Sequence, residues 1–516
     1  MSLLSVAAFA DVFPSSTILH AAELLVACFL LLWPFYNVFL HPLSKYPGPR
    51  LFAASSLPYG YWYMTGKWHV KIMELHNKYG PIVRVGPDEL SYALPEAWDD
   101  IYGRYVPAKR KENSKPAWYC SPDAHDMVGA TLGDHGRMRR VMAPGFTYGA
   151  MCRQEPLIRQ HVDLFLLRLD ELCVRGLGEG GAVVNMLEWF TYCTFDIIGD
   201  LSFGEPFGCL KDSMLHPWLR LVFANIYITH LFMLCKRIPF FYVFLPVKAT
   251  VQMYRDFTRH VVVLRQVVER RLALRKKRDD FMDVMSSTPK KSLYMTQEEM
   301  FKNAILLTGG GAETTSSALT GMAYTLANRP DLKRKITEEL HATFATEDDI
   351  NMRSVANLTY TGAFIQESLR YYPPGPNAMW RMTPPEGNTI LGEDIPGNTI
   401  LGIPHRVVYR SEKFWKHAQE FRPERWLPEG QRPAEFDDDR RDGFHPFSYG
   451  PRACIAINLA YAEMRYILAR FLWNFDVDMT EQSRGWMDNQ KAYLVWDKPG
   501  LFLRLKPAKN VEETKC

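Results

Sequence analysis

Phe447-Ser448-Tyr449-Gly450-Pro451-Arg452-Ala453-Cys454 is the stretch on which the reading of this chain turns. Gly450 and Pro451 force a tight turn that points the backbone inward. Beyond it, Asn458-Leu459-Ala460-Tyr461-Ala462-Glu463-Met464-Arg465 is rich in good helix formers, so Cys454 should stand just before a helix N-terminus. That end of a helix favours a thiolate, and the thiolate is the form that binds a metal. Arg452 is placed to neutralise an anionic group beside such a metal, and Phe447 to shield the sulfur from water. A lone cysteine is most often a small buried hydrophobe. The Phe, Gly and Arg at their offsets turn the reading toward a ligand.

The run resembles the haem-binding signature of the cytochromes P-450, Phe-x-x-Gly-x-Arg-x-Cys-x-Gly, everywhere but at its last position, where this chain has Ala456. One added methyl group removes no ligand, so ligation is expected to survive. The resemblance implies a mainly α fold with a minor β part, the cytochrome P-450 fold, with Cys454 as the axial ligand of the iron of haem b (iron protoporphyrin IX). A thiolate in that position favours O–O cleavage, so O2 is the implied co-substrate. No glycine-rich dinucleotide or flavin motif stands out, so electrons are expected from NADPH through a separate flavoprotein, an NADPH-cytochrome reductase.

A second region supports that chemistry. Thr296-Gln297-Glu298-Glu299 reads as a capping box, with Met295 and Met300 as its staple, at the start of a long helix. The helix runs into Gly309-Gly310-Gly311-Ala312-Glu313-Thr314-Thr315. Glycine inside a helix costs about 1 kcal/mol relative to alanine, so three in a row suggest a flat ligand against the backbone or a local widening. Thr314 lies four residues after Gly310, on the same face. The segment is similar to the family's acid–alcohol pair, Ala/Gly-Gly-x-Asp/Glu-Thr-Thr. That resemblance makes Gly310 part of the cofactor surface, sets Thr314 beside the reacting oxygen and makes Glu313 a proton donor.

Other charged motifs read as structural. Glu367-Ser368-Leu369-Arg370 and Phe421-Arg422-Pro423-Glu424-Arg425-Trp426 resemble the family's Glu-x-x-Arg helix and Pro-Glu-Arg-Phe/Trp loop, which makes Glu367, Arg370 and Arg425 a buried triad locking the core. For the haem propionates the resemblance offers Arg452, Arg381, and His135 with Arg139, four residues apart on one helix. His135 stands where the family often has Trp and still donates a hydrogen bond. Arg137 and Arg140 read as solvated or as meeting an acidic redox partner. The six basic residues between Arg270 and Arg278 read as a solvated helix face, with membrane-surface contact the minor alternative.

The chain of 516 residues has no Gly/Ser linker or internal repeat, and 47% hydrophobic with 13% aromatic residues excludes a disordered protein. A net charge of +4 gives no reason to expect a nucleic-acid partner. The nine cysteines are scattered without a Cys-x-x-Cys pair, which argues against zinc or a secreted disulfide framework. Residues 18–40 are apolar over about 20 residues, enough for one transmembrane anchor. Residues 1–16 lack the Lys or Arg of a signal peptide, whereas Lys45 and Arg50 follow the segment and place the domain in the cytosol. The expected organisation is a lumenal tail 1–17, an anchor 18–40, a stiff non-helical proline hinge 41–50, a catalytic domain 51–508 and a tail 509–516, on the endoplasmic reticulum membrane. The sequon at Asn357 would then face the cytosol unmodified.

Short strand-like runs are expected within 51–106 and 376–410, and helices from about 150 to 345. Residues 111–131, with Trp118 and Tyr119, and the apolar stretch 222–247 are candidates for the substrate pocket; by resemblance the latter is a mobile roof touching the bilayer. Phe195-Asp196-Ile197-Ile198-Gly199-Asp200 and Phe203-Gly204-Glu205-Pro206-Phe207-Gly208 look like fungal members that tailor polyketides, terpenoids or alkaloids. The expected reaction is hydroxylation, epoxidation or desaturation of an apolar small molecule. A haem-thiolate isomerase or dehydratase, or a haem-binding sensor, remains the alternative.

Overall fold

The computed structural model describes residues 20, 31–104, 106, 111–120, 125–176, 180–216, 230–244, 247–274, 278–286, 294–488 and 490–508. Helices dominate it. Tyr148–Gly176, Met186–Phe203, Val247–Ala273, Gln297–Asn328, Pro330–Thr343, Thr359–Tyr371 and Ile457–Asn474 are its longer or central helices. A four-stranded sheet runs in the order Ile82–Gly86, Glu89–Tyr92, Ile400–Gly402, Arg381–Met382; its middle pair is parallel and the flanking pairs antiparallel. A three-stranded sheet joins Ala182–Asn185, Phe502–Pro507 and Phe475–Met479. The fold is mainly helical with a minor β part.

The long glycine-bearing helix Gln297–Asn328 is the central beam. Thr296 caps it as expected: its side chain accepts from the Glu299 backbone N–H, and Glu299 reaches back to the Thr296 N–H. The helix packs on Met186–Phe203, and Gly311 is the reason it can. A Cβ there would stand 2.9 Å from Ile198 Cδ1. Gly309 and Gly310 differ, since a Cβ on either would meet nothing within 4 Å. One glycine of the three therefore serves helix packing, and two border open space.

The hinge departs from expectation. Residues Pro42–Lys45 form a 3-10 turn in which the His41 side chain accepts from the Leu43 N–H, and Leu43 is fully buried. Proline suits the first position of a helical turn because its missing N–H would be unsatisfied there anyway. The segment is thus docked on the domain rather than a free stiff rod, and Arg84 N–H donates to the Pro47 carbonyl at 2.8 Å. Among the described residues no helix is long and apolar enough to cross a membrane. Of the expected anchor only residues 20 and 31–40 are described, and the two terminal tails lie outside the described residues.

Candidate active site

The cysteine loop is a closed hairpin. The Cys454 N–H donates to the Phe447 carbonyl at 2.8 Å, and the Ala453 N–H to that of Gly450 at 3.1 Å. Gly450 adopts φ +74°, and a Cβ on it would press into the Tyr102 carbonyl oxygen. Only glycine fits. The helix Ile457–Asn474 begins three residues after the cysteine. Ala456 is its N-cap with φ −93° and ψ 17°, so no left-handed backbone demands glycine at the position where this chain departs from the signature. Phe447 is half-buried and packs on Tyr461 with ring centroids 5.1 Å apart.

Cys454 itself keeps open surface although protein atoms crowd it closely enough for burial to raise its thiol pKa, against the pull of the Ala456 backbone and Arg139. A side chain both crowded and open is one that lines an interior space. On the long helix Gly310 is likewise open, with nothing within 4 Å of a built Cβ.

Basic side chains converge at the edge of that space. His135 is buried and its pKa falls to about 4, through burial first and then through Arg452, Arg139, Lys115 and Arg381. Arg381 is 3% exposed, stands 5.0 Å from the Tyr102 ring centroid and donates to the Trp380 carbonyl at 3.0 Å. Burial lowers its pKa. Both terminal nitrogens of Arg452 donate to the Ala130 carbonyl at 3.1 Å, and its Nε lies 3.5 Å from Glu112. Arg139 is committed elsewhere than expected: its Nη1 donates to the Ala453 carbonyl at 2.6 Å, bracing the cysteine loop. Lys115, which the sequence reading missed, donates to the Val128 carbonyl at 2.6 Å, and burial brings its pKa down to about 8.

These five basic groups have one ion-paired carboxylate among them, Glu112, among the described residues. Positive charge left unbalanced at low dielectric calls for an anionic ligand. Haem fits on these grounds. Its two propionates would meet the cations, Cys454 would reach its iron, and Gly310 would let its plane approach.

The acid–alcohol pair is present but tied. The Thr314 hydroxyl donates to the Gly310 carbonyl at 2.7 Å. Glu313 is not a solvated acid: it is buried, ion-paired with Lys498 and accepts from Ser317 Oγ at 3.2 Å. Lys498 also donates to Ser317 Oγ at 2.6 Å, and its side chain is 4% exposed. Nothing in the local sequence announces it, because it lies 185 residues from Glu313.

Away from this space, Glu367, Arg370 and Arg425 come together with side chains wholly buried. Arg370 binds Glu367 through two hydrogen bonds, at 2.8 and 2.7 Å, and caps the carbonyls of Tyr409, Ala418 and Glu420. Arg425 Nε lies 3.3 Å from Glu367 and its Nη1 is paired with Asp439. Asp439 is the member the sequence reading lacked. Two arginines with one acid would bury a net charge; with Asp439 the group is balanced. Arg137 is likewise engaged, with Glu299 and Asp134, while Arg140 bonds only its own helix at Gly136.

The family model for cytochrome P-450 matches residues 47–505. The cytochrome P-450 monooxygenase bet2 of Neocamarosporium betae is 74% identical over 492 residues, covering 95% of this chain and 94% of that one. The monooxygenase sthF of Phaeosphaeria nodorum is 72% identical over 503 residues, 97% of each chain. The monooxygenase astJ of Aspergillus oryzae is 39% identical over 483 residues, 93% of this chain and 95% of the relative. With the open cysteine and the basic side chains beside it, this chain belongs to the cytochrome P-450 family and is a haem-thiolate monooxygenase, using O2 and a redox partner on a small-molecule substrate.

Proposed function

We propose that the protein is a membrane-anchored monooxygenase of fungal secondary metabolism that hydroxylates, epoxidises or desaturates an apolar polyketide, terpenoid or alkaloid. The observation that carries the reading is an open Cys454 beside Arg139 and a cluster of basic side chains with one ion-paired carboxylate among the described residues. Haem b, held by Cys454 and by Arg452, Arg381 and His135, supplies oxygen activation. Arg139 positions the cysteine loop, and Phe447 screens the sulfur. Glu313 and Thr314 relay protons through the carboxylate and Oγ, and Lys498 with Ser317 holds Glu313 in place. The surrounding apolar core keeps bulk water away from that transfer.

Electrons come from NADPH through a separate reductase. Membrane attachment is supported by exposed apolar side chains on neighbouring elements. Tyr61 and Met64 of the helix Leu57–Met64 are exposed, as are Phe240 and Val243 of the turn Pro239–Phe244. Gly60 allows Phe241 to seat on that helix, so the two sets adjoin. Such a patch suits an apolar surface. With 31–40 beside it, it argues for the endoplasmic reticulum membrane and a cytosolic domain.

The test has two stages. The reduced protein under carbon monoxide should show the red-shifted Soret band of a thiolate-bound haem. Microsomes carrying the protein and a reductase should then convert a candidate precursor, with NADPH, to a product whose mass reports added oxygen or lost hydrogen. Conversion that proceeds without NADPH and O2 overturns the reading in favour of an isomerase or dehydratase.

A further inference from the structure

Residues 230–237 form a helix whose inner face presents His230, Leu234 and Arg237, at the i, i+4, i+7 spacing of one helical stripe. His230 and Leu234 are each 3% exposed, and the Arg237 side chain is 4% exposed. A wholly apolar stripe would need no explanation. This one buries two polar heads about 10 Å apart along the helix, and each is incompletely satisfied.

Arg237 is ion-paired with Glu89, which also accepts from Trp380 Nε1 at 3.2 Å. Its guanidinium lies 3.7 Å from the Tyr59 ring centroid and 4.8 Å from that of Trp118. Yet Arg237 Nη1 and the neighbouring Trp118 Nε1 are both buried without a hydrogen-bond partner among the described residues. At the other end of the stripe, His230 stacks on Tyr493 at 5.9 Å, and its Nδ1 is unpartnered. Asn377 donates to the Tyr493 carbonyl at 2.6 Å and is 3% exposed, while its Oδ1 is buried without a partner. Arg237 Nη1, Trp118 Nε1 and His230 Nδ1 lie on or against the stripe, while the acceptor Asn377 Oδ1 belongs to a residue bonded to the Tyr493 backbone.

A buried donor or acceptor left unmade costs about 1–3 kcal/mol. A ligand that supplies an acceptor to these donors relieves that cost. The charge balance says which ligand. Glu89 already neutralises Arg237, and burial holds His230 neutral, with its pKa near 4. A carboxylate brought here would face Glu89 with no cation to spare, and a pure hydrocarbon would leave every orphan unmet.

We propose that Arg237, Trp118 and His230 form a polar rim, donating N–H groups to a neutral oxygen function, a ketone, ester or lactone, on an otherwise apolar substrate. This rests on the monooxygenase reading and narrows its substrate class. The rim orients the substrate by its oxygen and leaves its hydrocarbon part to the apolar interior.

The test is a titration of the ferric holoprotein, read by the Soret shift, with three probes of equal chain length: methyl nonyl ketone, undecane and undecanoate. The ketone should bind about tenfold tighter than undecane, and undecanoate no tighter than undecane. Trp118→Phe, which keeps an aromatic ring under the guanidinium and removes the N–H together with the fused five-membered ring, should lower ketone affinity about threefold and change undecane affinity less. The paired change Arg237→Met with Glu89→Gln avoids an orphaned charge and should reduce the ketone's margin to about twofold. If the paired variant does not fold, Trp118→Phe decides. Equal binding of ketone and undecane, tightest binding of undecanoate, or an unchanged margin in the variants overturns the proposal. The carbon monoxide band separates the two levels: its absence from the wild type defeats the haem-thiolate reading, and its presence without discrimination defeats the rim alone.

Discussion

Around Glu367 four charged side chains are buried, and each of their polar atoms has a partner; around Arg237 the burial is similar, and donors stand unmade. The first region joins the helix Thr359–Tyr371 to the turn Pro423–Trp426, and the second lies against the helix of residues 230–237, the expected roof. Both contain a buried arginine–glutamate pair. What separates them is completion. Around Glu367, carbonyls of Tyr409, Ala418, Glu420 and Lys416 take up the remaining N–H groups. At Arg237, Glu89 takes up one terminal nitrogen, and Nη1 meets no acceptor among the described residues. A completed network specifies one arrangement, whereas an incomplete one leaves the closed state poised against an open one. On the proposed reading, the network at Glu367 is rigid and the helix of residues 230–237 yields to substrate.

The sharpest way to break this contrast is Arg425→Ala. Glu367 and Asp439 would then sit buried with less than their due of positive charge, at a cost of about 3–5 kcal/mol. Expression should yield little folded holoprotein, measured as haem per polypeptide. Normal haem content would mean that the network is ornamental and the comparison empty.

Glu463 tests the same side by pH. It lies on the helix that follows the cysteine, buried, and burial pushes its pKa up to about 8 against a hydrogen bond from Thr315. An acid whose folded value is raised holds its proton in the folded state after the unfolded chain has lost it. Its stability contribution is therefore complete below the ordinary carboxylate value and falls away as pH climbs toward 8. The loss should be on the order of 5 kcal/mol across that window. Chemical denaturation of wild type and Glu463→Gln at the two ends of the window checks it: the glutamine variant should show a much flatter profile. Parallel profiles would show that Glu463 is ionised in the fold.

A pair of glycines compares the regions at equal chemistry. Gly450→Ala places a methyl group against the Tyr102 carbonyl, a backbone atom that cannot retreat, at a positive φ. It should cost about 1–3 kcal/mol and lower haem retention. Gly60→Ala meets the Phe241 ring at 2.5 Å, the far end of a movable side chain in the roof. Its clash is offset by the roughly 1 kcal/mol gained in helix propensity, so thermal stability should hardly change. Equal losses at both positions would show a roof as stiff as the cysteine side.

The same division governed what could be read in the sequence. The cysteine loop, the Thr296 capping box and the pairing of Glu367 with Arg370 lie within eight residues, four residues and four residues of chain, so short-range spacing displays them. Asp439, Lys115, Glu112 and Lys498 escaped because each is a single charged residue whose partner arrives from a distant element. The hinge was misjudged for a related reason. Three prolines announce stiffness, but the burial of Leu43 depends on the sheet beneath it. In the roof, residues 222–247 advertised only apolarity, and the two polar heads on its inner face acquire meaning from Glu89, Trp118 and Tyr493, all remote in sequence.

The smallest effect is expected where the two regions meet, at Lys498. It approaches the long helix from the C-terminal strands and holds Glu313 through an ion pair and a shared Ser317 hydroxyl. Lys498→Met keeps the length of the side chain and removes its charge, leaving Glu313 buried and unpaired, so the acid should take up a proton and lose its set orientation. Folding and haem content should hold, because Ser317 still offers a hydrogen bond. The yield of product per NADPH consumed should fall several-fold, with hydrogen peroxide making up the difference. Thr314→Ala should uncouple further, because it deletes the hydroxyl next along the path, and the double variant should be no worse than Thr314→Ala alone. If instead the two losses multiply, Lys498 acts on the roof or on electron delivery rather than through Glu313. If coupling is untouched in Lys498→Met across the pH range, the buried pair is structural, and the long helix belongs wholly with the rigid half of the molecule.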